Sequence, residues 1–218
     1  MIATDPALQG LGDFFLLALL MAATPGPNMV CLLGCTAALG PSAGYVTLAG
    51  MAAAFGLHAL VAECGFTVAL TAGSHGLTVL RWGAVLCLLW LSWQCLSQGM
   101  TLESRSQVRD GARTVSAGRL FATGFMVNAL NPLVVVFFLT VLPQFAVHSG
   151  IGAAFGSVLA LGIAYAAVSV SCNFAVTLGA SRVFGWMRRC PGHIIWMRRT
   201  SAFVLAAFAM KLVGQAPG

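Results

Sequence analysis

The sequence predicts an all-α integral membrane protein with six transmembrane helices arranged as two inverted three-helix repeats. The first observation is composition. Of 218 residues, 59% are apolar and only 7% are charged, with a mean hydropathy of +0.93, whereas about a quarter of a soluble domain is charged. Apolar runs also recur at the length of about 20 residues that a membrane helix needs. These runs, such as 84–91, lack the alternation of outer-membrane barrel strands.

Hydropathy and length predict six membrane spans. The polar segment 97–118 is predicted to be a cytoplasmic linker between two three-helix repeats, 1–96 and 119–218. The sixth span is short and contains Lys211, whose stem can extend to the interface. The segment before the first span contains Asp5 and no basic residue, unlike a signal peptide, so we expect that span to be retained. The predicted spans are 12–35, 44–72, 78–97, 119–146, 151–179 and 199–215.

Most of the basic residues fall in two predicted loops. Of the eleven Lys and Arg residues, the loops after the third and fifth spans hold four and five. Because cytoplasmic loops are enriched in Lys and Arg, both loops are predicted to be cytoplasmic and both termini to lie outside. This distribution reports topology, and we expect no nucleic-acid partner. The residues are Arg105, Arg109, Arg113 and Arg119, then Arg182, Arg188, Arg189, Arg198 and Arg199.

Proline interrupts the first span of each half. Thr24-Pro25-Gly26-Pro27 breaks the first span, and Asn131-Pro132 breaks the fourth. Pro25 lies 12 residues after Asp13, and Pro132 lies 11 after Phe121. At 1.5 Å per residue, both breaks are roughly 17–18 Å deep, near the midplane of a core about 30 Å thick. A tandem three-span unit inserts in the inverted orientation, and inverted repeats with broken helices are typical of transporters.

The breaks have the chemistry of a solute-binding site. Thr24 is predicted to be a helix N-cap with Pro25 at the first helical position, and Asn131-Pro132 repeats the pattern. A helix N-terminus in the membrane presents free amides to an anionic group such as a carboxylate. The alternative is that the prolines only kink the helices. For Asn128, a purely structural hydrogen bond between helices is an equally good interpretation. The candidate substrate-binding residues are Thr24, Pro25, Gly26, Pro27, Asn28, Asn128, Asn131 and Pro132.

An acid and a histidine, Glu63 and His58, lie within the second predicted span. Glu63 is an acid well inside the span, and an intramembrane acid is by default a functional candidate. His58 titrates near neutral pH, but it lies about 140° around the helix from Glu63. Both are proton-coupling candidates. Alternatively, the Glu63 side chain reaches the outer interface or bonds to a neighbouring serine. The alternative for His58 is that its side chain only packs against its neighbours.

No catalytic set, cofactor motif or metal site is predicted. The seven cysteines include no CxxC pair, and most fall in apolar runs, where thiols behave as small hydrophobic groups. We therefore expect no cofactor and no metal.

Several segments resemble the lysine-exporter (LysE/RhtB-type) translocators. They are "TPGPN", "GYVTLAGMAAAFGLHALVAECG", "LRWGAVLCLLWLSW" and "GFMVNALNPLVVVFFLTVLPQF", which occur in the family's order over nearly the whole chain. The resemblance implies a six-span bacterial inner-membrane exporter of amino acids and related metabolites, driven by the proton gradient. Leu133 stands where the family commonly has lysine, and the loop "LGPSAGY" lacks the usual arginine. The matched motif positions are Pro25, Gly26, Pro27, Asn131, Pro132, Pro143 and Gln144.

The sequence thus predicts a secondary exporter of an amino acid or a related small zwitterionic metabolite, working by proton antiport. Its partners are that small molecule and the lipid bilayer, and homo-oligomerisation is left open. The alternatives are an intramembrane enzyme or accessory membrane subunit that uses Glu63 and His58, and a passive pore. We expect no enzymatic activity.

Overall fold

The computed structural model describes residues 6–24, 26–97, 115–148, 156–180 and 191–214. Every regular element in these ranges is helical, so the all-α prediction is confirmed. Pro25 and most of the predicted linker 97–118 lie outside the described residues. The elements are α1 Pro6–Ala23, α2 Pro27–Leu39, α3 Pro41–Thr71, α4 Gly73–Ser97, α5 Ala117–Ala129, α6 Pro132–Val136, a π-helical segment Phe137–Val141, α7 Leu142–His148, α8 Ser157–Leu178 and α9 Pro191–Gly214.

The helix boundaries follow proline and glycine. Proline occupies the first turn of α2, α3 and α6, where its missing N–H costs nothing. Gly40 joins α2 to α3 at φ 92°, and Gly156 precedes α8 at φ 95°, a left-handed backbone that glycine adopts readily. Glycine at these two positions therefore allows the backbone conformation found directly before α3 and α8.

By length and composition, three helices can each cross a membrane: α3, residues Gly73–Trp93 of α4, and α8. Two bent pairs raise this number to five if each counts as one span. α1 meets α2 at 48°, and α5 meets the continuous helix from α6 to α7 at 54°. The two predicted helix breaks are therefore confirmed. The sixth predicted span falls within α9, which is not among these candidates and contains three basic residues.

α3 lies at the centre of the bundle and contacts α2, α4, α5 and α8. Its contact with α5 depends on two glycines. A Cβ atom on Gly50 would lie 2.0 Å from the Phe121 carbonyl oxygen, and one on Gly124 would lie 2.0 Å from the Thr47 carbonyl oxygen. The two backbones therefore approach closely, as small residues allow in membrane helices. This contact brings the middle of α3 against the end of α5, where the second break lies.

The hydrophobic core lies beside α3, on the side of the π-helical segment. Phe14, Phe55, Phe66, Phe137 and Leu88 are almost completely buried there. Many other large apolar side chains are exposed, Val79 and Phe203 above 70%, which suits a surface that faces lipid rather than water.

Candidate functional site

The first break separates α1 from α2. Gly26 is the N-cap of α2, with an extended backbone (φ −132°, ψ −174°), and Pro27 is at the first helical position. The predicted Thr24 cap is wrong. The Thr24 hydroxyl donates to the Leu20 carbonyl oxygen at 2.6 Å, one turn back in α1. Thr24 therefore belongs to the end of α1, because a threonine hydroxyl competes for the nearest backbone acceptor.

Thr24 also contacts the last helix of the chain. Its Oγ1 atom lies 2.7 Å from Oγ of Ser201 in α9. The first break is thus held against α9 by a pair of hydroxyl groups.

The second break separates α5 from α6 and matches the prediction. Asn131 is the N-cap of α6, and its Oδ1 atom accepts a hydrogen bond from the Leu133 amide at 3.1 Å. Pro132 follows at the first helical position. The Leu133 side chain is partly buried against the hydrophobic core.

Three asparagines join the two breaks, and we call them the asparagine cluster: Asn28, Asn128 and Asn131. Asn28 Nδ2 donates to Asn128 Oδ1 at 2.7 Å, and Asn131 Nδ2 donates to Asn28 Oδ1 at 3.1 Å. Asn128 Nδ2 donates in turn to the Met51 carbonyl oxygen of α3 at 2.7 Å. Asn128 and Asn131 are buried, 0% and 4% exposed. Amide side chains from both halves of the chain therefore satisfy one another in the protein interior.

Helix N-termini add positive partial charge at this place. Asn28 is the second residue of α2, and Leu133 is the second residue of α6. Amides in the first turn of a helix have no carbonyl acceptor within that helix, and the helix dipole adds about half a positive charge there. The asparagine cluster thus combines donors, acceptors and a positive potential without a formal charge.

An aromatic cluster lies next to the asparagine cluster. His58 Nε2 donates to the Asn128 carbonyl oxygen at 3.3 Å, and the His58 ring lies 5.6 Å from the ring of Phe138. Phe138 contacts Phe55 at 6.2 Å and Tyr165 at 5.3 Å between ring centroids. His58 therefore connects the polar break to a packed aromatic layer that includes the π-helical segment.

Glu63 faces a different helix. Its Oε1 atom accepts from the Gly156 amide at 2.8 Å, and its Oε2 atom accepts from the Leu159 amide at 2.9 Å. The side chain is 3% exposed. Glu63 thus caps the N-terminus of α8 with both oxygens, a favourable place for a carboxylate. Among the described residues, both of its oxygens therefore accept from backbone amides and not from a serine.

The structure brings some of the predicted site residues together and separates others. Asn28, Asn128 and Asn131 meet, Gly26 caps α2, and Pro27 and Pro132 begin their helices with exposed side chains. Thr24 turns toward α9 and Glu63 toward α8. The Met51 carbonyl and the Ser201 hydroxyl complete the surroundings. Sequence reasoning missed both, because a backbone acceptor and a lone serine carry no motif.

No group of three or more metal-ligating side chains occurs in the part of the chain that the structure describes. The arrangement is one of hydrogen-bonding amides, hydroxyls and helix ends. Such groups can bind and release a polar solute.

Comparison with known proteins identifies the family of the chain. The LysE type translocator family matches residues 19–216. Two homoserine/homoserine lactone efflux proteins, from Salmonella typhimurium and Salmonella typhi, are each 23% identical to the chain over 175 residues, covering 80% of the chain and 82% of the relative. No solved structure matches.

The family and both relatives have transport functions. Translocators and efflux proteins move solutes across membranes and are not enzymes. The prediction that the chain is a membrane transporter rather than an enzyme is confirmed, which removes the intramembrane-enzyme alternative. Since the match extends over nearly all of the sequence, the protein belongs to the LysE type translocator family.

Proposed function

We propose that the protein is a secondary transporter of the bacterial inner membrane that exports an amino acid or a related zwitterionic metabolite by proton antiport. One observation carries the proposal: the two helix breaks are joined by the asparagine cluster. Interrupted backbone persists at membrane depth only where protein or a watery cavity satisfies its polar groups. Transporters place their substrates at such discontinuous helices.

The substrate would bind by replacing hydrogen bonds that now lie within the cluster. An asparagine side chain has both a donor and an acceptor group, so the same three side chains can meet a carboxylate and an ammonium. The free amides at the start of α2 favour the carboxylate. The capping Gly26 and the two prolines, Pro27 and Pro132, hold these helix starts open. Pro25, outside the described residues, is proposed to act with them, and Thr24 to fix the end of α1.

A zwitterion suits a site without formal charge. Leu133, an apolar side chain partly buried against the hydrophobic core, supplies no cation at the second break. The relatives are named for efflux of homoserine and homoserine lactone. We therefore take homoserine, a small zwitterion, as the first substrate to test.

We further propose that all six predicted spans cross the membrane. α9 contacts α1 at two levels: Ser201 meets Thr24, and Lys211 pairs with Asp13. These contacts are 10 residues apart on α9 and 11 on α1, or about 15 Å along each helix. The beginning of α1 and the end of α9 thus lie at the same end of the bundle. A chain whose two ends lie on one side crosses an even number of times.

The helix contacts also support two inverted repeats. α3 packs against α8, and α4 against α9, so the second and third spans of each half pair with their counterparts. α3 contacts α5, the first span of the other half, just as α8 contacts α1. This exchange pattern is the one expected of a two-fold relation between the halves. The distribution of arginines favours both termini outside.

For coupling, we propose that Glu63 carries the proton. A proton on the carboxylate adds a donor and removes the negative charge, so the bonds to Gly156 and Leu159 would weaken and the first turn of α8 would loosen. Ser157, in that turn, buries its hydroxyl without a hydrogen-bond partner among the described residues. Protonated Glu63 could use this hydroxyl. His58 is the weaker candidate, because its Nε2 donates to Asn128 whether or not Nδ1 is protonated.

Inverted membrane vesicles test the proposed function. With an acidic lumen, vesicles that contain the protein are expected to accumulate radiolabelled homoserine above the external concentration, and a protonophore is expected to abolish the accumulation. Equilibration without accumulation, unaffected by the gradient, would indicate a passive pore. The absence of homoserine uptake and of exchange with other amino acids, with the protein present in the membrane, would contradict an exporter.

A Glu63→Gln variant separates capping from coupling. Glutamine keeps one acceptor oxygen and loses the titratable group, so we expect downhill homoserine flux without accumulation. Accumulation equal to that of the unmodified protein would remove Glu63 from the coupling step. A lower melting temperature alone would show only that the α8 cap was weakened.

A further inference from the structure

A cavity of about 50 Å³ lies between α1, α4, α7 and α9, and we call it the outer cavity. Leu88, Phe145 and Phe208 give it apolar walls, and Gln144 contributes an amide. Asp13 and Lys211 also line it, and they form an ion pair. Their side chains are 32% and 54% exposed. The outer cavity is thus an apolar pocket with a charge pair on its exposed side.

We infer that the Asp13–Lys211 pair is an outer gate and that the outer cavity beneath it is a second binding site for a zwitterionic solute. This inference rests on the proposed function. The cavity now has room for only a few water molecules, at about 10–15 Å³ each. An amino acid would need a wider cavity, and we infer that separation of the two charged side chains provides it.

The chemistry of the pair matches that of an amino acid. A bound solute would place its ammonium on Asp13 and its carboxylate on Lys211, so each charge exchanges one partner for another and none remains unpaired. Its side chain would lie among the apolar walls. A solute with a single charge would leave one member of the pair without a partner. Because an ion pair this exposed contributes little to stability, it can open at low cost.

One segment connects this cavity to the asparagine cluster. Val141, the last residue of the π-helical segment, lines the cavity. Phe138, in the same segment, packs on His58, which bonds to Asn128. From Asn131 to Val141 is 10 residues, roughly 15 Å of helix. Since π-helical turns are frequent at functional sites, a rearrangement of this segment would open a path from the cluster to the cavity.

Efflux from right-side-out vesicles tests the second site. Vesicles loaded with radiolabelled homoserine would be exposed to increasing concentrations of unlabelled homoserine outside. The measured quantity would be the external concentration that has half of its maximal effect on the rate of efflux. We expect Asp13→Asn and Lys211→Gln each to raise this concentration at least about tenfold, as for loss of a charge-assisted hydrogen bond. In the double variant Asp13→Lys/Lys211→Asp, which exchanges the two charges, we expect this concentration to return close to that of the unmodified protein. Homoserine lactone, which lacks the carboxylate, should be insensitive to Lys211→Gln. Arg119→Gln, an exposed charge on α5, is the control.

Thiol labelling tests the gate without relying on transport. In a protein with its native cysteines replaced, Leu88→Cys would place a thiol on the cavity wall. We expect a membrane-impermeant reagent to label it from outside slowly when the pair is intact and faster with either single substitution. Equal labelling in all variants would overturn the gate. If the unmodified protein shows efflux and every variant has the same external concentration for half-maximal effect, the second binding site would be overturned. If the unmodified protein shows no efflux, the result would count against the proposed function.

Discussion

At the scale of single residues, Asn128 is the side chain that ties the halves of the protein together. It accepts from Asn28 of the first broken span and donates to the Met51 carbonyl of α3. Its own backbone carbonyl accepts from His58. Because the residue is completely buried, any group that loses its bond to Asn128 has few alternatives.

Asn128→Leu is therefore expected to impair both stability and transport. Leucine has a similar shape but leaves Asn28 Nδ2 without its acceptor, which we expect to cost about 1–3 kcal/mol of unfolding free energy. Homoserine accumulation should fall by at least tenfold, equivalent to about 1.4 kcal/mol. Thermal unfolding in detergent and vesicle uptake measure the two effects.

Asn173→Leu is the matched control. Asn173 is also buried, but it donates to the Ser169 carbonyl within its own helix. We expect a smaller loss of stability and at least half of the transport activity. Equal losses of stability and transport in the two variants would contradict a specific role of the asparagine cluster.

The sequence identified the three asparagines as candidates but not their contacts. Asn28 and Asn128 are 100 residues apart in the chain, and no local pattern predicts such a pair. Glu63 was recognised because a buried acid is rare, but which helix it caps depends on how α3 is rotated. The sequence could thus identify candidate residues from polar side chains in apolar segments, but it could not predict their hydrogen-bond partners.

At the scale of elements, the contact between α3 and α5 places Asn128 against α3. Gly50 and Gly124 each lie against the backbone of the other helix. Gly50→Ala would insert a methyl group where no space exists, so we expect about 1–3 kcal/mol of destabilisation. The melting temperature of the purified protein measures this.

Gly56→Ala, in the same helix, is the control for helix propensity. A Cβ atom there would meet nothing within 4 Å, and alanine is about 1 kcal/mol better than glycine in a helix interior. We expect no loss of stability. A Gly50→Ala protein as stable as the Gly56→Ala protein would contradict the close approach of α3 and α5.

The helix breaks were predictable because proline removes a donor and obstructs the preceding turn. Asn131 took its predicted capping place because Pro132 directly follows it. At the first break, several possible starts lay within four residues, and the helix begins at Pro27 rather than Pro25. The hydroxyl of Thr24 found a nearer acceptor in Leu20. The prolines and glycine thus predicted where the helix is interrupted, but competition between nearby hydrogen-bond acceptors decided at which residue α2 begins.

At the scale of the whole molecule, the number of crossings decides on which side the C-terminus lies. α9 fails a simple hydropathy criterion, yet it packs along α1 and α4. Arg81 of α4 donates to the Leu212 carbonyl oxygen at 3.0 Å, and Ser92 donates to that of Ala202 at 2.9 Å. Of the charged side chains of α9, that of Lys211 forms an ion pair with Asp13 of α1.

We expect fusions at residue 218 to report an external C-terminus. Alkaline phosphatase, which is active only outside the cytoplasm, should be active at this position, and a fluorescent protein that matures in the cytoplasm should be dark. A fusion within 97–118 provides the opposite reference. A bright C-terminal fusion together with an external N-terminus would contradict six crossings.

Substrate protection of thiols placed beside both helix breaks tests the substrate site most directly. In a protein with its native cysteines replaced, single cysteines at Ala23 and Ala129 would be treated with a hydrophilic thiol reagent, and Phe203→Cys, on the exposed surface of α9, would serve as the lipid-facing control. We expect both break positions to react and homoserine to slow both reactions at least about fivefold, with no reaction at position 203. Two unreactive positions, or rates that homoserine leaves unchanged while transport proceeds, would mean that the solute binds elsewhere.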